Sequence, residues 1–381
     1  MASPATRTWN RFRRNLPAFF SLIFIALSVF VALLGYLVIP DKSPDANRMS
    51  LPTAIRRPGS SFTFLLFRKY NTSETSLFHT LFFGAPAAYD EMAITAHRFA
   101  GDSIYVRPYI GDEETAPEQG YSLNEVLFNR HNPDGSQDIK AKKNRVKKVQ
   151  IVERRYWLGS DLYGRDLLSR LVLGARISIT VGLVSVGISL IVGVLIGSVS
   201  GYFGGWIDAF FSWLMNVLWS LPALLLVIAL SFALGKGFWQ VFIAIGLSMW
   251  VDVARLVRGQ MIGMKQVEFV EAGRALGFSH TRLIFGHMLP NLIGPVLVLA
   301  SSNFASAILL EAGLSFLGFG AQPPTPTWGN MIKEHYGYII INGAYLAVLP
   351  GLAIMLLVYA FNLVTIGLRD AFDIRSQPIR D

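Results

Sequence analysis

Residues 268–290 read EFVEAGRALGFSHTRLIFGHMLP, a charge-bearing island between two long apolar runs. Residues 238–251 upstream carry no charge, and residues 283–310 downstream carry none beyond a protonatable His287. At ~1.5 Å per residue, about 20 apolar residues cross the ~30 Å of bilayer hydrocarbon, so the island joins two membrane spans. Inside it, Ala272, Ala275, Leu276 and Leu283 fall near helical spacing, while Arg274, Ser279, His280 and Arg282 take the other positions. That pattern predicts an amphipathic helix closed by a turn at Gly277, and Pro290 stands where a new helix begins. An ordinary surface helix between two spans would read the same way.

The rest of the chain has a matching composition. Of 381 residues, 52% are hydrophobic and 15% charged, and mean hydropathy is +0.43, values foreign to a soluble domain of this length. In a soluble protein the net charge of +9 would point to nucleic acid, but here the cations gather at the ends of apolar runs and set orientation. Nucleic acid is therefore not expected as a partner. Without cysteine there is no disulfide framework, thiolate nucleophile or Cys-ligated metal site. The sequence also lacks Gly-x-x-x-x-Gly-Lys-Ser/Thr, His-Glu-x-x-His and Gly-x-Ser-x-Gly, so no catalytic or metal residues are expected, and any ATP is bound by another chain.

Arg7, Arg11, Arg13 and Arg14 precede an uncharged run at 15–40. This reads as a first span and an uncleaved anchor, because it exceeds the ~7–15 apolar residues of a signal peptide. Residues 41–156 change character, with charges, prolines, glycines and short β-leaning runs at 61–67 and 103–110. No run there crosses a bilayer, which predicts a soluble insertion on the far side of the first span. Acidic residues gather at Asp112, Glu113, Glu114 and Glu118, and basic ones at 140–155, as a solvated face or a contact with anionic headgroups.

Gly159, Asp161, Gly164, Arg165 and Asp166 then make a turn-rich stretch in which turn or cap roles suit both aspartates. An interfacial amphipathic helix is expected from Leu167, ahead of a second span at 177–201. Ser185, Ser189, Gly193, Gly197 and Gly201 recur every four residues along that span, as a packing seam or as a face of a translocation path. A third span, 206–234, should bend near Pro222, with Asp208 at its interfacial start and Lys236 in a very short turn behind it. The fourth runs over about 238–257. A charge at mid-bilayer costs roughly 2.5–3.5 kcal/mol, so Asp252 is expected to pair with Arg255 near the interface; a proton or ion site is the alternative.

The fifth span is expected over about 292–310, followed by a Gly-, Pro- and Trp-rich stretch at 311–332 that should break the helix into a re-entrant or outer loop. Glu311-Ala312-Gly313 repeats the letters of the island, but it follows an apolar span and lacks the later Leu-Pro, so no docking role is expected there. The sixth span is 345–367. Arginines at 7–14, 255–282 and 369–380, the last including Arg369, Arg375 and Arg380, place both ends in the cytoplasm.

The island Glu271-Ala272-Gly273, three residues, Gly277, nine residues, His287-Met288-Leu289-Pro290 resembles the cytoplasmic EAA loop of ATP-binding-cassette importer permeases. Gly273 stands for that family's second Ala and His287 for its Ile. Gly159-Ser160-Asp161 with Gly164-Arg165-Asp166, then 314–318 with Pro323, Pro324, Trp328, Gly329 and Asn330, are similar to the oligopeptide, dipeptide and nickel subfamily, specifically its C-type permease. The resemblance implies an all-α integral membrane protein with the six transmembrane helices of the type I importer permease fold, carrying an extracytoplasmic α+β insertion between helices 1 and 2.

The expected organisation is a cytoplasmic N-terminus at 1–15, helix 1 at 16–40, the insertion at 41–156, a permease core at 157–370 holding the EAA loop at 258–290, and a cytoplasmic tail at 371–381. The resemblance further implies coupling to ATPases through Glu271, Ala272, Gly273, Gly277, His287, Leu289 and Pro290. Its implied partners are a second permease, two ATP-binding-cassette ATPases carrying ATP and Mg, an extracytoplasmic binding protein and the lipid bilayer; no cofactor is expected on this chain. Substrate contacts are not assigned. An ion-coupled secondary transporter using Asp252 is the alternative function, and an extracytoplasmic sensor or scaffold built on the insertion is a third.

Overall fold

A computed structural model describes residues 4–69, 75–112, 115–128, 138–235, 237–341 and 343–372; Glu113, Glu114, Lys236, Arg375 and Arg380 of the sequence reading lie outside them. Among the described residues five helices are long and apolar enough to cross a membrane. They are α2 (Leu16–Leu33), α7 (Leu167–Phe203), α10 (Phe238–Met264), α14 (Ile293–Leu317) and α16 (Tyr345–Phe372). A sixth crossing results if α8 (Gly205–Trp219) and α9 (Ala223–Leu234) count as one bent pair, since they meet at 100°. The break falls at Pro222, where the sequence places it, because a proline lacks the N–H that would continue the helix.

α1 (Pro4–Arg14) lays Phe12 against α16, and Asn15 caps α2 by accepting the Ala18 N–H at 3.3 Å. The break after Leu33 is brief, and α3 (Gly35–Val38) completes the first apolar run. A Cβ on Gly367 would lie 2.3 Å from the Cβ of Ala18, so α2 and α16 touch at backbone distance.

The bundle is organised on α7 and α10. Ser185, Ser189, Gly193, Gly197 and Gly201 are all buried, and a Cβ on Gly193 would stand 2.5 Å from Val253 while one on Gly197 would stand 2.5 Å from the Ala254 carbonyl. The small residues seat α10 directly on α7. Close approach of this kind replaces the hydrophobic drive that is missing inside a bilayer.

Three boundaries differ from expectation. α7 is a single 37-residue helix with no separate interfacial helix before it. Arg170 and Arg176, which would favour a break, are held instead by the Asp45, Pro324 and Leu81 carbonyls. α10 continues past Val257 to Met264. α14 runs through Glu311 to Leu317, because buried Glu311 accepts a 2.7 Å hydrogen bond from Ser315 one turn on, and Gly318 at φ 91° then ends the helix.

The insertion is a five-stranded antiparallel sheet in the order β4-β3-β2-β1-β5. Its strands are β1 (Ser60–Arg68), β2 (Tyr89–Ala100), β3 (Ser103–Pro108), β4 (Gln119–Ser122) and β5 (Ile151–Tyr156), with Phe64 opposite Ala93 in the register. Alternation sends Leu65, Ile94, Ile104 and Val106 to one face, where α5 (Leu123–Phe128) covers them with Leu123, Val126 and Leu127. Phe64, Leu66, Ala93 and Tyr156 line the other face. Strands and short helices alternate over residues 60–156. α4 (Leu77–Phe83) connects β1 to β2, and α6 (Ile139–Arg145) carries part of the basic run, of which Lys140, Lys147 and Lys148 are exposed. Glu118 pairs with Arg98 and Asp112 with Arg56, so these acidic groups do not meet the basic run.

Candidate functional site

The island between α10 and α14 folds as α11 (Glu268–Ala275), a turn, α12 (His280–Leu283), a π-helical turn at 284–288 and α13 (Leu289–Asn291). α11 ends because Gly277 adopts φ 77°, a region that side-chain-bearing residues avoid. The Gly277 N–H then donates to the Arg274 carbonyl at 2.9 Å and the Phe278 N–H to the Gly273 carbonyl at 3.0 Å, which closes the exposed carbonyl end of the helix. Ser279 starts α12 by accepting the Arg282 N–H at 3.3 Å. Pro290 sits in the first turn of α13, as expected of a residue that has no N–H to lose.

Val270, Leu283, Ile284 and Met288 are buried with Tyr202 of α7, Val253, Val257 and Met261 of α10, and Leu292 just before α14. This cluster makes one solid body of the island and the ends of α7 and α10. Arg282 lies over the Phe278 ring at 3.9 Å, and the hydroxyl of Tyr202 is 2.8 Å from His280 Nδ1.

The seven residues assigned to coupling divide by direction. Glu271, Ala272, Gly277 and Pro290 are exposed. Gly273 turns inward, where a Cβ would come within 2.7 Å of Leu283, so its smallness serves the fold of the island itself. Half-buried Leu289 packs on the cluster, and His287 places Nδ1 3.2 Å from the Arg282 carbonyl. The apolar set read from spacing also divides: Leu283 is buried, but Ala272, Ala275 and Leu276 face outward, and Leu276 is 73% exposed. Leu276 follows the turn rather than the helix period, since it is the residue before the left-handed glycine. Phe269 and Phe285 are exposed as well. What results is a rigid, apolar, carboxylate-bearing projection fixed to two spans, suited to a partner's groove.

Asp252 and Arg255 do not pair. Arg255 donates to Asn216 Oδ1 at 2.8 Å and stacks 4.4 Å from the Trp219 ring centroid, while Asp252 is exposed and has no ion pair among the described residues. The ion pair that does form joins Arg258 to Asp208, 2.5 Å from Nε to Oδ1 and 2.7 Å from Nη2 to Oδ2. Sequence spacing gave no sign of it, because the two residues lie on different helices.

At the opposite end of the bundle Asp161 clusters with Glu334 and His335 of α15 (Trp328–His335). Their electron pairs are already engaged: Arg165 reaches Asp161 at 2.5 Å and Glu334 at 3.0 Å, Arg170 lies 3.6 Å from Asp161, and Leu162 N–H points at His335 Nε2 at 3.5 Å. Two guanidiniums facing two carboxylates make an ion-pair network with no surplus negative charge for a cation. Asp161 also accepts the Tyr163 and Arg165 N–H groups, and Asp166 caps α7 through Ser169 N–H at 2.8 Å, the turn and cap roles expected of them. Glu311, in the second copy of the island's letters, is buried inside α14 and presents nothing to a partner.

Fold and site together define a multi-span membrane protein with an exposed helical projection between two spans. The family described as binding-protein-dependent transport system inner membrane component matches residues 193–377, and the N-terminal transmembrane domain of oligopeptide transport permease C matches residues 3–52. The dipeptide transport system permease protein DppC of Alkalihalophilus pseudofirmus is 39% identical over 61% of this chain and 76% of its own length. The glutathione transport system permease proteins GsiD of Pectobacterium atrosepticum and Escherichia coli O157:H7 are 39% and 41% identical, over 57% and 58% of this chain and 72% of theirs. Among solved structures, the inward-facing MetNI methionine ABC transporter aligns with a TM-score of 0.43 at 17% identity, over 53% of this chain and 97% of that one. The chain belongs to the family of binding-protein-dependent transport permeases of the oligopeptide and dipeptide type. That membership sets aside the ion-coupled secondary transporter.

Proposed function

We propose that this chain is the C-type permease of an ATP-driven peptide importer, forming the translocation pathway with a second permease. The observation that carries this reading is the exposed Glu271–Ala272–Leu276 projection, locked to α7 and α10 by one buried cluster. A groove on an ATPase that grips this projection moves α10 and, through Leu292, α14. ATP and Mg are then held by two ATPase subunits, whose closure shifts the pathway from outward to inward access. Peptide as substrate is supported by the dipeptide and glutathione relatives.

In this reading the bent pair α8/α9 supplies the sixth span, both termini lie in the cytoplasm, and the sheet of the insertion stands outside with the binding protein. The arginine-rich short segments at 7–14 and 255–282 support that orientation. Affinity purification of the tagged chain from native membranes in mild detergent, with every companion identified by mass spectrometry, tests it. A phosphate-loop ATPase and a second six-span chain are expected, together with ATP-dependent dipeptide uptake once they are reconstituted. A chain that purifies alone in every detergent overturns the proposal.

A further inference from the structure

α4, the helix that joins the two central strands of the insertion, reads LFHTLFF, yet none of its residues is buried. Phe78 is 72% exposed and Phe83 64%, and Leu77 and Phe82 are exposed beside them. The Phe78 and Phe82 rings meet at 4.9 Å and the His79 and Phe83 rings at 5.2 Å, so pairs one helical turn apart make a continuous aromatic face. A soluble surface rarely presents such a face without a partner.

The contacts on its other side fix the height of α4. A Cβ on Gly84, which ends the helix, would lie 2.9 Å from the Lys42 carbonyl and from the Tyr36 ring, and the Ala85 N–H donates to that carbonyl at 2.8 Å. Arg176 of α7 donates to the Leu81 carbonyl at 3.1 Å, with its guanidinium 5.9 Å from the Tyr36 ring centroid and 5.3 Å from that of Phe82. Along the first span Val38 comes 22 residues after Leu16, about 33 Å of helix. Along α7, Arg176 comes 24 residues before Ser200, about 36 Å. Arg14 before Leu16, and the Asp208–Arg258 pair beside Ser200, stand at the opposite boundary. The ~30 Å of hydrocarbon therefore ends close to Val38 and Arg176, and α4 rests on that edge.

The neighbouring surface points to lipid as the occupant. Where helices of this bundle meet, small residues such as Ala18, Gly193, Gly197 and Gly367 face inward. The outward surface that leads to α4 is large and apolar instead, with Leu27, Phe30, Leu33, Leu37 and Val38 exposed. α4 extends that surface beyond the end of the span. Lys42 is exposed next to it, a cation at the level of headgroup phosphates.

We infer that α4 is an interfacial anchor that lies in the lipid leaflet on the insertion's side, with Phe78, Phe82 and Phe83 in the boundary between headgroups and acyl chains. It ties β1 and β2, and with them the sheet, to the membrane surface. The inference needs the membrane spans but not the peptide-import reading.

Because the chain has no cysteine, Phe78→Cys, Phe83→Cys and Lys140→Cys each supply one thiol for a nitroxide. Lys140 is an exposed residue of α6, on the α5 side of the sheet, and serves as the water-facing control. The full chain, with any companion subunits made cysteine-free, is reconstituted in phosphatidylethanolamine–phosphatidylglycerol vesicles. Electron paramagnetic resonance then compares collisions of each nitroxide with oxygen, which concentrates in lipid, and with a water-soluble nickel chelate. Oxygen is expected to dominate at 78 and 83 and the chelate at 140, a reversal of the ratio between the two sites.

Dominance of the chelate at 78 or 83 shows a solvated helix and overturns the inference. Protection from both reagents shows a protein contact, with the second permease or with this chain, and overturns it as well. The measurement uses neither substrate nor ATP, so failure of dipeptide uptake counts against the peptide-import reading alone.

Discussion

Arg258 near the end of α10 grips Asp208 in the first turn of α8 fork to fork, and Ser200 of α7 also donates to the same carboxylate. Three helices are thereby fixed together beside the island. Removing either charge leaves the other without a counter-ion. Arg258→Ala and Asp208→Ala are each expected to cost about 1–3 kcal/mol, as for hydrogen bonds to charged groups. Thermal unfolding in mild detergent measures this, and the double variant should lose less than the two single losses together.

The α7–α10 seam makes a sharper prediction about size. Gly197→Val places its Cβ 2.5 Å from the Ala254 carbonyl, where no flexible side chain can yield. Overpacking is expected to destabilise by about 1–3 kcal/mol. Gly187→Ala, on the same helix with nothing within 4 Å, should leave the unfolding temperature unchanged.

At Gly277 the cost is conformational alone, because φ is 77° and the space around the position is open. Gly277→Ala is expected to destabilise the turn by about 1–2 kcal/mol, and Gly277→Asn by less, since asparagine tolerates the left-handed region. Amide exchange at Phe278, whose N–H closes the turn, should quicken in that order.

Gly277, Pro222 and the Asp166 cap were legible in the sequence because each acts through local backbone geometry that its residue type dictates. Two of the five strands were legible as β-leaning runs, 61–67 inside β1 and 103–110 over β3, while β2, β4 and β5 were not read from the letters. Nor were pairings between helices. Arg255 was assigned to Asp252 from spacing, but Trp219 and Asn216 on α8 hold it, a neighbour on another helix that spacing along α10 does not reveal. The helix boundaries before 177 and after 310 also depend on tertiary partners, the Asp45 and Pro324 carbonyls for Arg170 and Ser315 for Glu311, which the sequence does not display. At the island, spacing identified the helix and the turn but assigned Leu276 to the wrong side.

The insertion carries a pH signature at Asp112. Hydrogen bonds from Tyr109 and then Arg56 hold its carboxyl below the usual range, while burial and the Asp112 contact push the Tyr109 hydroxyl up to about 12. A carboxyl with a lowered folded value stabilises the fold above its unfolded pKa of about 3.9 and loses that contribution as pH falls through the folded value. The tyrosine's contribution is complete below about pH 10 and is lost as pH rises through 12. Asp112→Asn should therefore speed amide exchange at Tyr109 and Ile110 at pH 7, relative to wild type. The difference should vanish once acid has protonated Asp112.

The central claim is that the outward surface of α11 and its turn receives an ATPase. Leu276→Glu tests it most directly, because Leu276 is 73% exposed and the change should leave the fold intact. The measurement is the amount of ATPase that co-purifies with the tagged chain, alongside ATP-driven uptake. The account predicts that Leu276→Glu keeps the second permease and the wild-type unfolding temperature but loses ATPase retention by about tenfold or more, the effect of removing a contact of about 1.4 kcal/mol. Wild-type ATPase retention and uptake in that variant would contradict it.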